Sequence, residues 1–131
     1  LAQVLLTFAV WFFLVARRIP EIMRKNIDPQ DLRDRAQSHE LLVESAAASN
    51  NLKNLFEMPV LFYAAILLSL VLLIQDMMLV TLAWGFVILR VAHSVIQCSY
   101  NNVNHRFAVY FISCLLLLFM WIRLASFILI H

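Results

Sequence analysis

Apolar positions fall into four runs along the chain, Leu1 to Ala16, Met58 to Ile74, Met78 to Ser99 and Phe107 to Ile130. Each reads as a membrane-crossing helix, a crossing needing roughly 20 residues, and the first run is short by this measure. The pattern predicts an all-α integral membrane protein: one domain, residues 1–131, built as a bundle of four transmembrane helices. The polar stretch from Arg17 to Lys53 forms the longest connection. Within it, Asp28-Pro29 followed by Asp31 predicts a helix start, the aspartate capping free amides and the proline taking the first helical position. Leu32, Ala36, His39 and Val43 then share one face, which predicts a short helix running through Ser45 to Asn54 into the second span. A solvated linker is the competing reading.

Composition agrees with the pattern. Hydrophobic residues make up 63% and charged residues 14%, with Gly85 the single glycine, well outside the range of an ordinary soluble domain. The start at Leu1, without a methionine, a basic n-region or a small-residue cleavage site, is read as a trimmed terminus and not as a secretory signal. Cys98 and Cys114 lie in different runs without CxxC or His/Cys spacing, so core thiols are expected in place of a metal site or disulfide. His39 and His105 likewise lack partners at metal-ligand spacing. The net charge of +2 gives no reason to expect nucleic acid as a partner.

Charge also sets an expected orientation. Arg17, Arg18, Arg24, Lys25, Arg33, Arg35 and Lys53 fall in the first connection, none in the second, Gln75 to Met77, and Arg106 in the third. The positive-inside rule then places the first and third loops in the cytoplasm and both termini outside with Asp76. Arg123 is expected to snorkel to the headgroups. Trp11, Trp84 and Trp121 are expected as belt or packing aromatics, and Met77 and Met78 as lipid-facing or packing residues.

Arg90 and His93 interrupt the third run, and an ionisable residue inside a membrane is a functional hypothesis by default. Burying a guanidinium unpaired costs on the order of 3 kcal/mol even on lenient scales. Glu57, near the start of the second run, is the expected counter-charge. Helical spacing puts Arg90, His93 and Gln97 on one face and Asn50, Asn54 and Glu57 on another. Antiparallel packing brings the two stripes together in the cytoplasmic half, with Tyr110 at the depth of Ile96 and Arg106 at the rim beside Tyr100. Such a pocket suits a small, zwitterionic, polyanionic ligand, and four short helices suggest that neighbouring subunits wall it. The competing reading is a buried ion pair that fixes helix register, with a satisfied core histidine.

At these residues the chain resembles the MAPEG family, the membrane-associated proteins of eicosanoid and glutathione metabolism. The resemblance rests on the Asp-Pro turn, Asn54-Leu-Phe-Glu57-Met-Pro59, Arg90-Val-Ala-His93, and Arg106 followed by Tyr110. Arg90 to His93 with Arg106 is similar to the prostaglandin E synthase branch, and Asn101 to Phe107 is similar to bacterial members. The resemblance implies a homotrimer with glutathione held between subunits, in a bacterial inner membrane. It implies that Asn54, Glu57, Arg90, His93 and Tyr110 surround glutathione and that Arg106 stabilises its thiolate. Gln97 stands where the family usually has a tyrosine, Asn50 where an arginine is common, and Phe107 where a small polar residue follows the arginine.

Three functions follow as expectations. The first is a glutathione-dependent transferase or peroxidase acting on lipophilic electrophiles that arrive from the bilayer. The second is a non-catalytic lipid-binding or scaffold protein of the same architecture. The third, a small transporter, lacks the helix-breaking residues that mark broken-helix sites.

Overall fold

The computed structural model describes residues 1–130, apart from the side chains of Arg35, His39 and Ile130. The described residues form six α-helices: α1 (Ala2–Lys25), α2 (Arg35–Leu41), α3 (Ala46–Leu55), α4 (Met58–Val71), α5 (Met77–Cys98) and α6 (Val103–Ile130). A single 3-10 turn, Pro29–Leu32, lies between the first two. Four stretches are long and apolar enough to cross a membrane: Ala2–Lys25, Ala46–Val71 (α3 with α4), Met77–Cys98 and Val103–Leu129. The protein is therefore an integral, multi-pass membrane protein.

α1 runs past the end of its apolar run at Ala16 to Lys25, with Pro20 inside it. It stops at Asn26, whose left-handed backbone (φ 51°) lets the Ile27 amide donate to the Ile22 carbonyl at 3.2 Å, the Schellman ending. The hydropathy reading ended this helix too early because its last turns are held by polar contacts. Asp28 does accept from the Gln30 amide at 2.9 Å, but it caps only the 3-10 turn. The short helix expected to run from here through Ser45 to Asn54 is divided instead into α2, capped by Asp34, and α3, with a break between them. Leu42, in that break, is buried, whereas Val43, placed on the apolar face from the sequence, is exposed. His39 was placed on that face too, and its side chain lies outside the described set.

The break has a cause 20-odd residues upstream. Glu21 of α1 is buried, and its carboxylate accepts from the backbone amides of Glu44 and Ser45, each at 2.9 Å, and from Lys25 Nζ at 2.7 Å. A helix N-terminus leaves amides without intrahelical partners. Here a side chain from another helix meets that need, and α3 starts at Ala46.

α5 and α6 pair most extensively, joined by a tight turn, and α4 packs on α6 while α1 packs on α3 and α5. Between α5 and α6, Gly85 lets the helices come close: a Cβ there would lie 2.9 Å from the end of the Leu116 side chain. The core gathers Phe62 and Ala65 of α4, Leu79, Phe86 and Val87 of α5, and Leu117, Met120 and Leu124 of α6. The Phe62 and Phe86 rings stack with centroids 4.7 Å apart. Trp121 packs against this core, while Trp11, Trp84, Met77 and Met78 point outward. At the far end, Asp76 caps α5 through the Met78 amide and accepts from Arg123 Nε at 2.7 Å. Arg123, expected from its position to reach the headgroups, thus pairs with the α4–α5 turn.

Candidate functional site

Pro59 is the residue from which the site follows. It has no amide to give the Leu55 carbonyl, which weakens the helix at this point, and here the helix is interrupted. α3 ends at Leu55, the Phe56 amide turns back to the Lys53 carbonyl at 2.9 Å, and α4 begins at Met58. In an unbroken helix the Asn54 carbonyl would be taken by Met58, four residues on. Across the break it accepts instead from an Nη of Arg90 on α5.

This corrects the expected partner of the buried arginine. Arg90 is fully buried and lies over the Tyr110 ring at 5.3 Å, while Glu57 is exposed and forms no ion pair among the described residues. The negative end of α3 and the face of an aromatic ring stand where a carboxylate was expected; both attract a cation. The compensation is incomplete. Nε and the other Nη of Arg90 have no hydrogen-bond partner among the described residues, and buried donors left unpaired typically cost about 1–3 kcal/mol each.

One turn along α5, His93 is also buried; its Nδ1 donates to the Arg106 carbonyl at 3.2 Å, and its Nε2 lies 3.0 Å from Oε1 of Gln97. A carbonyl only accepts, so Nδ1 carries the hydrogen. Asn54 Nδ2 donates to the Gln97 side-chain oxygen at 3.3 Å, closing a network from α3 to α5. The His93 and Tyr110 rings meet with centroids 5.6 Å apart.

These groups border an open cleft of about 220 Å³ lined by Asn54, His93, Val103, Arg106, Phe107 and Tyr110. Of the residues expected from the sequence, Asn54, His93, Arg106 and Tyr110 line it directly. Gln97 joins through Asn54 and His93, and Arg90 through Tyr110. Glu57 stands apart, because the break at Phe56–Glu57 takes it off the stripe that a continuous helix would have made. At the mouth, Arg106 Nη1 donates to Asn101 Oδ1 at 2.8 Å, and Tyr100 pairs with His105 at 3.2 Å.

Sequence reasoning missed Asn51. It, and not Asn50, is the fully buried amide of α3, accepting from the Ser94 hydroxyl at 3.2 Å and donating to Cys98 Sγ at 3.4 Å. The signal was available, since Ser94 and Cys98 are spaced by four on α5. Asn101, with a left-handed backbone (φ 49°) that turns the chain into α6, was missed as the partner of Arg106.

The cleft can bind a small anion or a polar, peptide-like group. It offers one guanidinium at the rim, a second beneath Tyr110, and amide, imidazole and phenol groups between them. Ligand sites commonly occupy about 300–1,000 Å³, so the cleft of a single chain, at about 220 Å³, is small for a whole ligand.

Among curated proteins and among solved structures nothing matches the chain. The family model described as the MAPEG family matches residues 1–126, nearly the whole length, and carries the four apolar helices with it. The chain belongs to the MAPEG family, whose members act in glutathione-related metabolism.

Proposed function

We propose that the protein is a membrane-bound, glutathione-dependent transferase or peroxidase acting on lipophilic electrophiles. The observation that carries this reading is the convergence of Arg106, His93, Asn54 and Tyr110 on one cleft, with two unpaired donors of Arg90 just behind it. The donor set fits glutathione, which presents two carboxylates, peptide groups and a thiol.

Glutathione supplies a sulfur nucleophile. Only the thiolate attacks, and a thiol of pKa near 8.5 is mostly protonated at neutral pH. Arg106 holds the sulfur as the anion; each unit of lowered pKa requires about 1.4 kcal/mol of preference for the charged form. The thiol proton leaves to solvent, and in a transfer the new sulfur–carbon bond forms as the bond to the leaving group breaks. Asn54, held by Gln97, orients the peptide part, and Glu57, exposed and off the cleft of its own chain, meets the amino group from across a subunit boundary. Because the cleft of one chain is small, the site is completed between neighbouring subunits of a homotrimer. The lipophilic partner arrives from the bilayer. The first and third loops, with the cleft, face the cytoplasm, following the concentration of cations there.

A second reading, a non-catalytic lipid-binding or scaffold protein, is favoured by a separate observation. Two apolar grooves, of about 450 and 360 Å³, open between α1 and the neighbouring α3, α4 and α5 and include no residue of the cleft.

Thermal unfolding of the detergent-purified protein, with and without millimolar glutathione, separates the two. Ligand at about 100 times its dissociation constant adds roughly 2.7 kcal/mol of apparent stability. The enzyme reading expects a rise in the wild type that is lost in Glu57→Ala and Arg106→Ala, and turnover of a lipophilic electrophile that falls at least tenfold in Arg106→Ala. No rise in a protein of intact oligomeric state overturns it in favour of the scaffold.

A further inference from the structure

A second polar cavity lies between α1, α2 and α3, where α1 leaves its apolar run. It is a partly open cavity of about 150 Å³ lined by Arg18, Ser38, Leu42, Ser45, Ala46, Ser49 and Lys53. At roughly 30 Å³ per water, that is about five waters' worth, room for a tetrahedral oxyanion.

The charges around it are distributed unevenly. Of the nearby cations, Arg24 is paired with Glu44 and Lys25 with Glu21. Arg18 and Lys53, which face the cavity, form no ion pair among the described residues, and Arg18 donates only to the neutral Ser38 hydroxyl, at 3.1 Å. Glu21, the nearest carboxylate by its bonds to Ser45, is already engaged by two backbone amides and Lys25. The Ser49 hydroxyl makes no hydrogen bond among the described residues. Two cations bordering one cavity favour an anion between them, and Arg with Ser hydroxyls is a donor set suited to phosphate oxygens.

We propose that this cavity binds a phosphate-type oxyanion, with Arg18 and Lys53 neutralising it and Ser38 and Ser49 donating to its oxygens. Arg18 is two residues beyond Ala16, the end of the apolar run, so the cavity lies at the level of lipid headgroups as well as within reach of soluble phosphate. The site shares no lining residue with the cleft and does not depend on the reading given to that cleft.

The test is binding to the full-length chain in neutral detergent, followed by native mass spectrometry. Three probes are compared: inorganic phosphate, dioctanoyl phosphatidate, and dioctanoyl phosphatidylcholine as the zwitterionic control. One phosphate or phosphatidate per chain is expected, with affinity falling at least tenfold in Arg18→Gln and in Lys53→Gln. Affinity should be unchanged in Arg33→Gln, an exposed cation outside the cavity, and in Arg106→Ala. Equal affinity for phosphate and phosphatidate assigns the site to a soluble oxyanion; binding of phosphatidate alone assigns it to a lipid headgroup. Lys53 is exposed, so Lys53→Gln keeps the test valid should Arg18→Gln fail to fold. The proposal is overturned if neither anion binds, if phosphatidylcholine binds equally, or if Arg33→Gln weakens binding as much as the cavity variants.

Discussion

Arg90 donates across the bundle to the backbone carbonyl of Asn54, a carbonyl left free because the helix breaks between Leu55 and Met58. The proline that interrupts the second span thus supplies the acceptor for the charge buried in the third. Sequence reasoning sought a carboxylate for that charge, and the fold provides a helix end.

Replacing Arg90 by methionine removes two unpaired buried donors and orphans one carbonyl. Exchanging a buried charge for an apolar side chain of similar volume is often neutral or stabilising. Arg90→Met is expected to unfold within about 2 kcal/mol of the wild type, either way, and to lose its stabilisation by glutathione. Thermal scans with and without the ligand check both halves. A variant that does not fold would make Arg90 a structural residue first.

Glu21 has the opposite character, since its carboxylate satisfies amides at the start of α3. Glu21→Ala leaves the Glu44 and Ser45 amides unpaired and is expected to cost about 2–4 kcal/mol. Glu21→Gln keeps one acceptor oxygen and should lose less. Hydrogen exchange should show the loss first in α2 and α3, and protection unchanged there would remove Glu21 as their anchor.

The Asp76–Arg123 clamp carries a pH signature. The Arg123 guanidinium, and then the Met78 amide, hold the Asp76 carboxyl below its ordinary range. A folded-state pKa below the unfolded value of about 3.9 means that the stabilisation is fully present at neutral pH. It is lost as pH falls through the folded value. The difference in unfolding temperature between wild type and Asp76→Asn should therefore be largest at neutral pH and shrink below about pH 4. A difference that does not change with acid would show that the carboxylate charge contributes nothing.

Gly85 offers a steric test of the α5–α6 contact. A Cβ meets only the flexible end of Leu116, and alanine gains about 1 kcal/mol of helix propensity over glycine. Gly85→Ala is expected to be neutral to slightly stabilising, whereas Gly85→Leu overpacks the seam and costs about 1–3 kcal/mol. Denaturation midpoints of the two variants should fall on opposite sides of, or at least unequally about, the wild type. Equal midpoints would place Gly85 outside the packed seam.

Four apolar runs were enough to predict four membrane-crossing helices, because a spanning segment must be apolar along its own length and form its own backbone hydrogen bonds. Those requirements are local, so they are written in consecutive residues. Helical spacing likewise put Arg90, His93 and Gln97 on one face, and they are buried together. The tertiary structure decided what each polar group meets. Glu21 was one charge among several in a basic stretch until α3 packed on α1, and Glu57 left its stripe because Pro59 broke the helix beneath it. Arg123 found Asp76 only when α6 lay beside the start of α5, 47 residues away in the chain. Hydropathy adds up one residue at a time, whereas a buried charge is satisfied by whichever donor or acceptor packing brings within about 3 Å. The sequence alone therefore determined which segments are apolar enough to cross the membrane and which polar residues share a helix face, and only the packed bundle determined their partners.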